Sequence, residues 1–219
     1  MTQSAMRLEK EIVRKISLDC LLYVPQSYDR AKAWPLVVFL HGSGEKGNDL
    51  DLVKVHGIPR VAEHDPDLPF LAVSPQCPHN SCWDALLTEL YELVCTVKGE
   101  YSVDANRVYL TGLSMGGHGT WLFALEHPRE FAAIVPICGW LDNLEDVCKL
   151  KGIPTWAFHG AMDPVVPLRE SERVVDALKG CGGDVRFTVL PKAEHDSWTA
   201  AYDDPALYSW MLAQTRVSR

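Results

Sequence analysis

Residues 107–118 read Arg-Val-Tyr-Leu-Thr-Gly-Leu-Ser-Met-Gly-Gly-His. The apolar run Arg107–Thr111 predicts a strand, Gly112-Leu113-Ser114-Met115-Gly116 a tight turn with serine at its apex, and His118–His127 a helix. The flanking glycines let the chain turn without a Cβ clash, and the turn pushes the Ser114 hydroxyl out at the strand's end. The helix that follows directs its N-terminal N–H groups and positive dipole end at any anion formed there. A serine in a glycine-rich turn is often only a turn former, so the rest of the chain decides.

Outward from that segment, short apolar runs alternate with longer helical patterns. This predicts an α/β fold, a mainly parallel sheet with helices on both faces. Leu36–Leu40 is apolar throughout, as a central strand buried on both faces must be, and Phe70–Ser74 is a second such run. Residues 83–101 carry Leu86, Leu90, Leu93, Val94 and Val97 at helical spacing. Ala132–Ile137, Pro154–Phe158 and Val185–Leu190 read as further strands, Ser171–Lys179 and Pro205–Gln214 as amphipathic helices. Ile12–Val24 alternates and predicts one or two antiparallel edge strands. No repeat or linker interrupts residues 1–219, so a single domain is expected, which this length can supply with one sizeable core.

Composition narrows the function classes. A net charge of −8 without a basic block disfavours a nucleic-acid partner. No apolar run approaches the ~18 residues needed to span a bilayer, so membrane insertion is not expected. The N-terminus interleaves charges and lacks an apolar h-region, so no secretory signal is expected. The seven cysteines are odd in number and scattered. They read as reduced core thiols of a cytoplasmic protein. Cys77 and Cys82 lack a second pair at zinc spacing, so no metal is expected.

Ligands of open α/β sheets bind at the carboxyl ends of the strands, and three reactive residues fall there. Ser114 follows Arg107–Thr111, Asp163 follows Thr155–Phe158 and His195 follows Phe187–Leu190. Each type has a task in nucleophilic catalysis. A hydroxyl is a poor nucleophile, so an imidazole must take its proton during attack. A carboxylate then holds the imidazole tautomer and stabilises the imidazolium. The oxyanion needs fixed donors, and His41-Gly42-Ser43-Gly44 follows the Leu36–Leu40 strand. That loop fits the H-G-x-G pattern, so the Ser43 and Met115 N–H groups are the expected oxyanion donors.

Together, HGSGEKG (41–47), TGLSMGGHGTW (111–121), HGAMDPVVP (159–167) and AEHDSW (193–198) resemble an α/β-hydrolase. The resemblance is to the lidless dienelactone-hydrolase-like and phospholipase/carboxylesterase-like bacterial enzymes, some of which carry the name predicted peptidase. It covers roughly Leu21 to Leu212. It implies esterase-type acyl transfer to water by a Ser114–Asp163–His195 triad, acting on a small soluble carboxylic ester without cofactor or metal. The nucleophile is serine rather than the cysteine of dienelactone hydrolases proper, and nothing in the residues supports peptide cleavage.

Rival readings are specific. Asp163 precedes Pro164, a common turn opener, and Asp142 lies where some hydrolases place their acid. Asp163 is preferred because it follows the strand before the histidine strand. His41 and His159 precede glycines at strand ends and are expected to brace loops. Trp83 and Trp198 fall on loops of the catalytic edge, where an aromatic either walls an acyl or alcohol pocket or packs against its own domain. The interval Cys138–Ile153 is too short for a lid domain, so an open site is expected.

Overall fold

The computed structural model describes residues 5–11 and 13–216. Seven strands form one sheet: β1 (Cys20–Tyr23), β2 (Trp34–Leu40), β3 (Leu71–Pro75), β4 (Val103–Leu113), β5 (Ala133–Ile137), β6 (Thr155–Gly160) and β7 (Val185–Leu190). The helices are α1 (Gly57–His64), α2 (Leu87–Glu100), α3 (Met115–Glu126), α4 (Leu168–Gly180), α5 (Trp198–Tyr202) and α6 (Pro205–Ala213). Strand order is β1-β3-β2-β4-β5-β6-β7. Only the β1–β3 pairing is antiparallel.

The alternation of side chains along β2 explains why helices cover both faces. Leu36, Val38 and Leu40 point into a core shared with Leu90 and Val94 of α2, Trp121 of α3 and Val174 of α4. Val37 and Phe39 point the other way, onto Ile58 of α1, Tyr202 of α5 and Met211 of α6. An apolar run of this kind can be stable only as a strand inside two layers. From β2 the chain moves to β3 on one side, then crosses back to β4 on the other. The carboxyl ends of β2 and β4 therefore flank the switch in strand order, where such sheets bind ligands.

Several boundaries differ from the sequence expectation. Of Ile12–Val24, only Cys20–Tyr23 is strand; Ile12 lies outside the described residues, and 13–19 form none. Residues 13–17 are exposed, and Leu18 is the first side chain of this segment to pack against the core. β4 begins earlier than Arg107, because Val103 pairs with Trp34 before a register shift between Trp34 and Leu36. Residues 83–101 split into a 3₁₀ turn, Trp83–Leu86, followed by α2. Between β2 and β3 the chain forms two 3₁₀ turns, Ser43–Glu45 and Leu50–Val55, and then α1, whose first turn accepts Pro59 because no N–H is needed there.

The cysteine reading is also corrected. Cys148 and Cys181 form a disulfide with a Cα separation of 5.4 Å. Cys82 and Cys95 are exposed, so core burial applies only to Cys77 and Cys138, with Cys20 half-buried. The bond ties the Val147–Leu150 turn to the end of α4 across 33 residues, a pairing that spacing alone does not reveal. The cysteine argument for a reducing compartment no longer holds. Chain-entropy reasoning gives such a cross-link about 2–4 kcal/mol. The Cys148→Ser/Cys181→Ser protein should lose that much in urea unfolding, and reductant should do the same to the parent; an unchanged midpoint in both would contradict the bond.

Candidate active site

The turn after β4 is held by close backbone approach. A Cβ on Gly116 would sit 1.9 Å from the Leu40 carbonyl oxygen, so α3 packs this tightly against β2 only with glycine there. Ser114 adopts φ 54°, ψ −117°, a region that costs a non-glycine residue about 1–3 kcal/mol. Its N–H donates to the Ile137 carbonyl at 2.9 Å and its carbonyl accepts from His118 N–H at 3.0 Å. The strained residue is thus fixed from β5 on one side and from the first turn of α3 on the other.

The loop after β7 brings His195 to this serine. It docks on the end of β6, where Met162 N–H donates to the Ala193 carbonyl at 3.0 Å. Ser114 Oγ lies 2.9 Å from His195 Nε2, and His195 Nδ1 lies 2.8 Å from Asp163 Oδ2. Roles follow from the acceptor-only carboxylate: Nδ1 carries the proton, which leaves Nε2 free to accept from the hydroxyl.

Both readings of Asp163 hold, on different oxygens. Oδ1 accepts from the N–H groups of Val165 and Val166, at 2.8 and 2.9 Å, which is the turn-opening role. Oδ2 faces the imidazole. Burial alone would raise its pKa; the hydrogen bonds from His195, Val166 and Val165 outweigh that and hold the carboxyl below its ordinary value. Asp142 is 83% exposed and has His118 Nε2 at 3.8 Å instead.

The register Leu40↔Gly112 sets the His41–Gly44 loop beside the elbow. Ser43 opens the 3₁₀ turn Ser43–Glu45 and Met115 opens α3. An N–H at the first position of a helical segment has no acceptor within it, so the expected donors, Ser43 and Met115 N–H, are not spent inside their own helices. His41 braces this loop. Its Nε2 accepts from Cys77 N–H at 2.9 Å, so Nδ1 holds the proton and donates to the Gly42 carbonyl at 2.5 Å. Burial pushes His41 down to about 4, which keeps the ring neutral near pH 7.

The two tryptophans part company. Trp83 is fully buried, packs edge-on against His41 at 4.9 Å and donates its indole N–H to the His41 carbonyl at 3.0 Å. It is a floor under the oxyanion loop and not a pocket wall, because its polar atom is needed by a buried carbonyl. Trp198 opens α5 and stands at the rim, its ring 5.2 Å from His195 and 5.5 Å from His56. On the far side of the elbow, His118 stacks on Trp140 at 4.4 Å.

Among the described residues, one group could converge on a metal ion: Cys138, Asp163 and His195, with ligand atoms within 4.8 Å of one another. Burial pushes the Cys138 thiol up to about 12, and the other two are hydrogen-bonded to each other. The set therefore offers a cation no ready thiolate.

A strained serine at a β-strand-to-helix elbow, linked through an imidazole to a buried carboxylate at the sheet's carboxyl edge, defines the serine hydrolases of the α/β-hydrolase fold. The motif resemblance is borne out here in fold. The chain belongs to the phospholipase/carboxylesterase family, which residues 70–204 match. It is similar to acyl-protein thioesterase 1 of Cryptococcus neoformans var. neoformans serotype D, 27% identical over 80% of this chain and 90% of that protein. A thermostable esterase of known structure is 35% identical with a TM-score of 0.80 over 91% of this chain, which spans 60% of that protein's length. A phospholipase/carboxylesterase from Dyadobacter fermentans shares the fold at a TM-score of 0.64 and 21% identity, over 87% of this chain and 97% of that one. The protein is thus an enzyme of an esterase and thioesterase family.

Proposed function

We propose that this enzyme hydrolyses small, soluble carboxylic esters through an acyl-enzyme on Ser114. The observation that carries the reading is the unbroken series Ser114 Oγ–His195 Nε2 and His195 Nδ1–Asp163 Oδ2, at 2.9 and 2.8 Å. Ser114 Oγ attacks the ester carbonyl while its proton passes to His195 Nε2. Asp163 stabilises the imidazolium and keeps its own oxygens unprotonated. The Ser43 and Met115 N–H groups hold the oxyanion, each contributing ~10²–10³ in rate. His195 then protonates the leaving alcohol, and the same nitrogen activates the water that frees the acid.

The rim favours compact substrates. Between β5 and β6 the chain forms only loop and the four-residue turn Val147–Leu150, so no lid domain is inserted in that interval. No helix among the described residues is long and apolar enough to cross a membrane. A thioester would pass through the same steps, and the 27% identity to an acyl-protein thioesterase favours that as the second reading.

The test is turnover of p-nitrophenyl acetate and butyrate beside matched thioesters, with fluorophosphonate labelling located by peptide mass. Ester turnover with one adduct on Ser114 is expected, without a jump in rate when substrate exceeds its solubility. Labelling of a different serine, or turnover of thioesters alone, would overturn the proposal.

A further inference from the structure

We propose that His159 is a positioning residue whose N–H, given to the Val166 carbonyl, also lies against the Asp163 oxygen that His195 uses. The proposal rests on the functional reading of the triad given above. His159, on β6, is fully buried. Its Nε2 lies 2.8 Å from the Val166 carbonyl and 3.3 Å from Asp163 Oδ2. Both neighbours only accept, so Nε2 must carry a proton. Its Nδ1 lies 2.7 Å from Ser171 Oγ on α4, which lies 2.8 Å from the Gly139 carbonyl after β5. The ring therefore ties the acid loop to the first turn of α4 and to the end of β5.

Proton counting defines what the ring does. With the hydrogen of a neutral ring on Nε2, Nδ1 only accepts, so the Ser171 hydroxyl donates to Nδ1 and at most shares that hydrogen with the Gly139 carbonyl. The titratable groups facing this network are Asp163 on the ring's own loop, His195 from the loop after β7 and Cys138 after β5. Burial lowers the His159 pKa, so the ring stays neutral, and the buried Cys138 thiol is neutral too.

Asp163 Oδ2 accepts the N–H of His195 Nδ1 at 2.8 Å, and His159 Nε2, whose N–H goes to the Val166 carbonyl, lies 3.3 Å from the same oxygen. The positive end of the His159 N–H draws charge from that oxygen and weakens its hold on an imidazolium. Carboxylate orientation does not depend on His159, because Val165 and Val166 N–H fix Oδ1.

Three substitutions separate donation from packing. His159→Phe keeps a ring without a donor, and His159→Asn is too short to place one at Oδ2. His159→Gln sets an amide N–H near the position of Nε2. The acid limb of kcat/KM for a small ester should move up by about half to one pH unit in the Phe and Asn proteins and stay in place in the Gln protein.

NMR titration of the His195 ring should show the same pattern and needs no turnover. A protein that shows the NMR pattern but hydrolyses no ester would sink the esterase reading and keep this one. Wild-type His195 titration in all three variants, or a Gln variant that behaves like Phe, would overturn it; if the Phe protein does not fold, the Asn and Gln pair decides.

Discussion

Ser114→Ala should lower kcat for a small ester by ~10⁵–10⁶-fold, with KM little changed. The hydroxyl oxygen is the atom that bonds to the carbonyl carbon, and no other oxygen in the series can replace it. Residual rate over water should persist, since the proposed oxyanion donors, the Ser43 and Met115 N–H groups, are left in place. The fold should survive: a methyl group meets the same φ of 54° as the serine it replaces, and the removed hydroxyl's partner is one partly exposed imidazole. Thermal unfolding within a few degrees of the parent is the control. A variant that keeps a tenth of the parent rate would show that another group supplies the nucleophile.

How much of this was legible in the sequence follows from the range of the forces involved. The Leu36–Leu40 strand and the Ser114 elbow are local solutions to local problems, so five to ten residues suffice to read them. The order Ser114, Asp163, His195 is read from strand ends, and the mainly parallel sheet converts that order into proximity. Trp83 was not legible, because its partner is the carbonyl of His41, brought under it by the path of a distant loop. His41 and His159 could be read as loop braces from their His-Gly pairs. That His159 also reaches Asp163 needs the four-residue return of the chain after β6. The Cys148–Cys181 bond depends on where α4 ends, and α1 on one proline tolerated at a helix start. What escaped the sequence is therefore mostly contact between loops whose positions the sheet sets.

Asp163→Asn should cost ~10⁴-fold in kcat, against less than about threefold for Asp142→Asn. The amide has one acceptor, and the N–H groups of Val165 and Val166 claim it. Its NH₂ is then forced toward His195 Nδ1, which must become the acceptor and send its proton to Nε2. A protonated Nε2 cannot take the Ser114 proton, so geometry is kept and the base is lost. Asp142 meets only His118 at 3.8 Å from an exposed position, where removing its charge changes little.

The same substitution has a stability signature with a definite sign. The folded Asp163 carboxyl titrates below its unfolded value. Its contribution is therefore complete above an unfolded pKa of ~4 and lost as pH falls through the folded value. The stability gap between parent and Asp163→Asn should be widest near pH 7 and should close on acidification below pH ~4. Denaturant unfolding at the two pH values measures it. A gap that widens in acid, or an Asp142→Asn protein as inactive as Asp163→Asn, would remove Asp163 from the series.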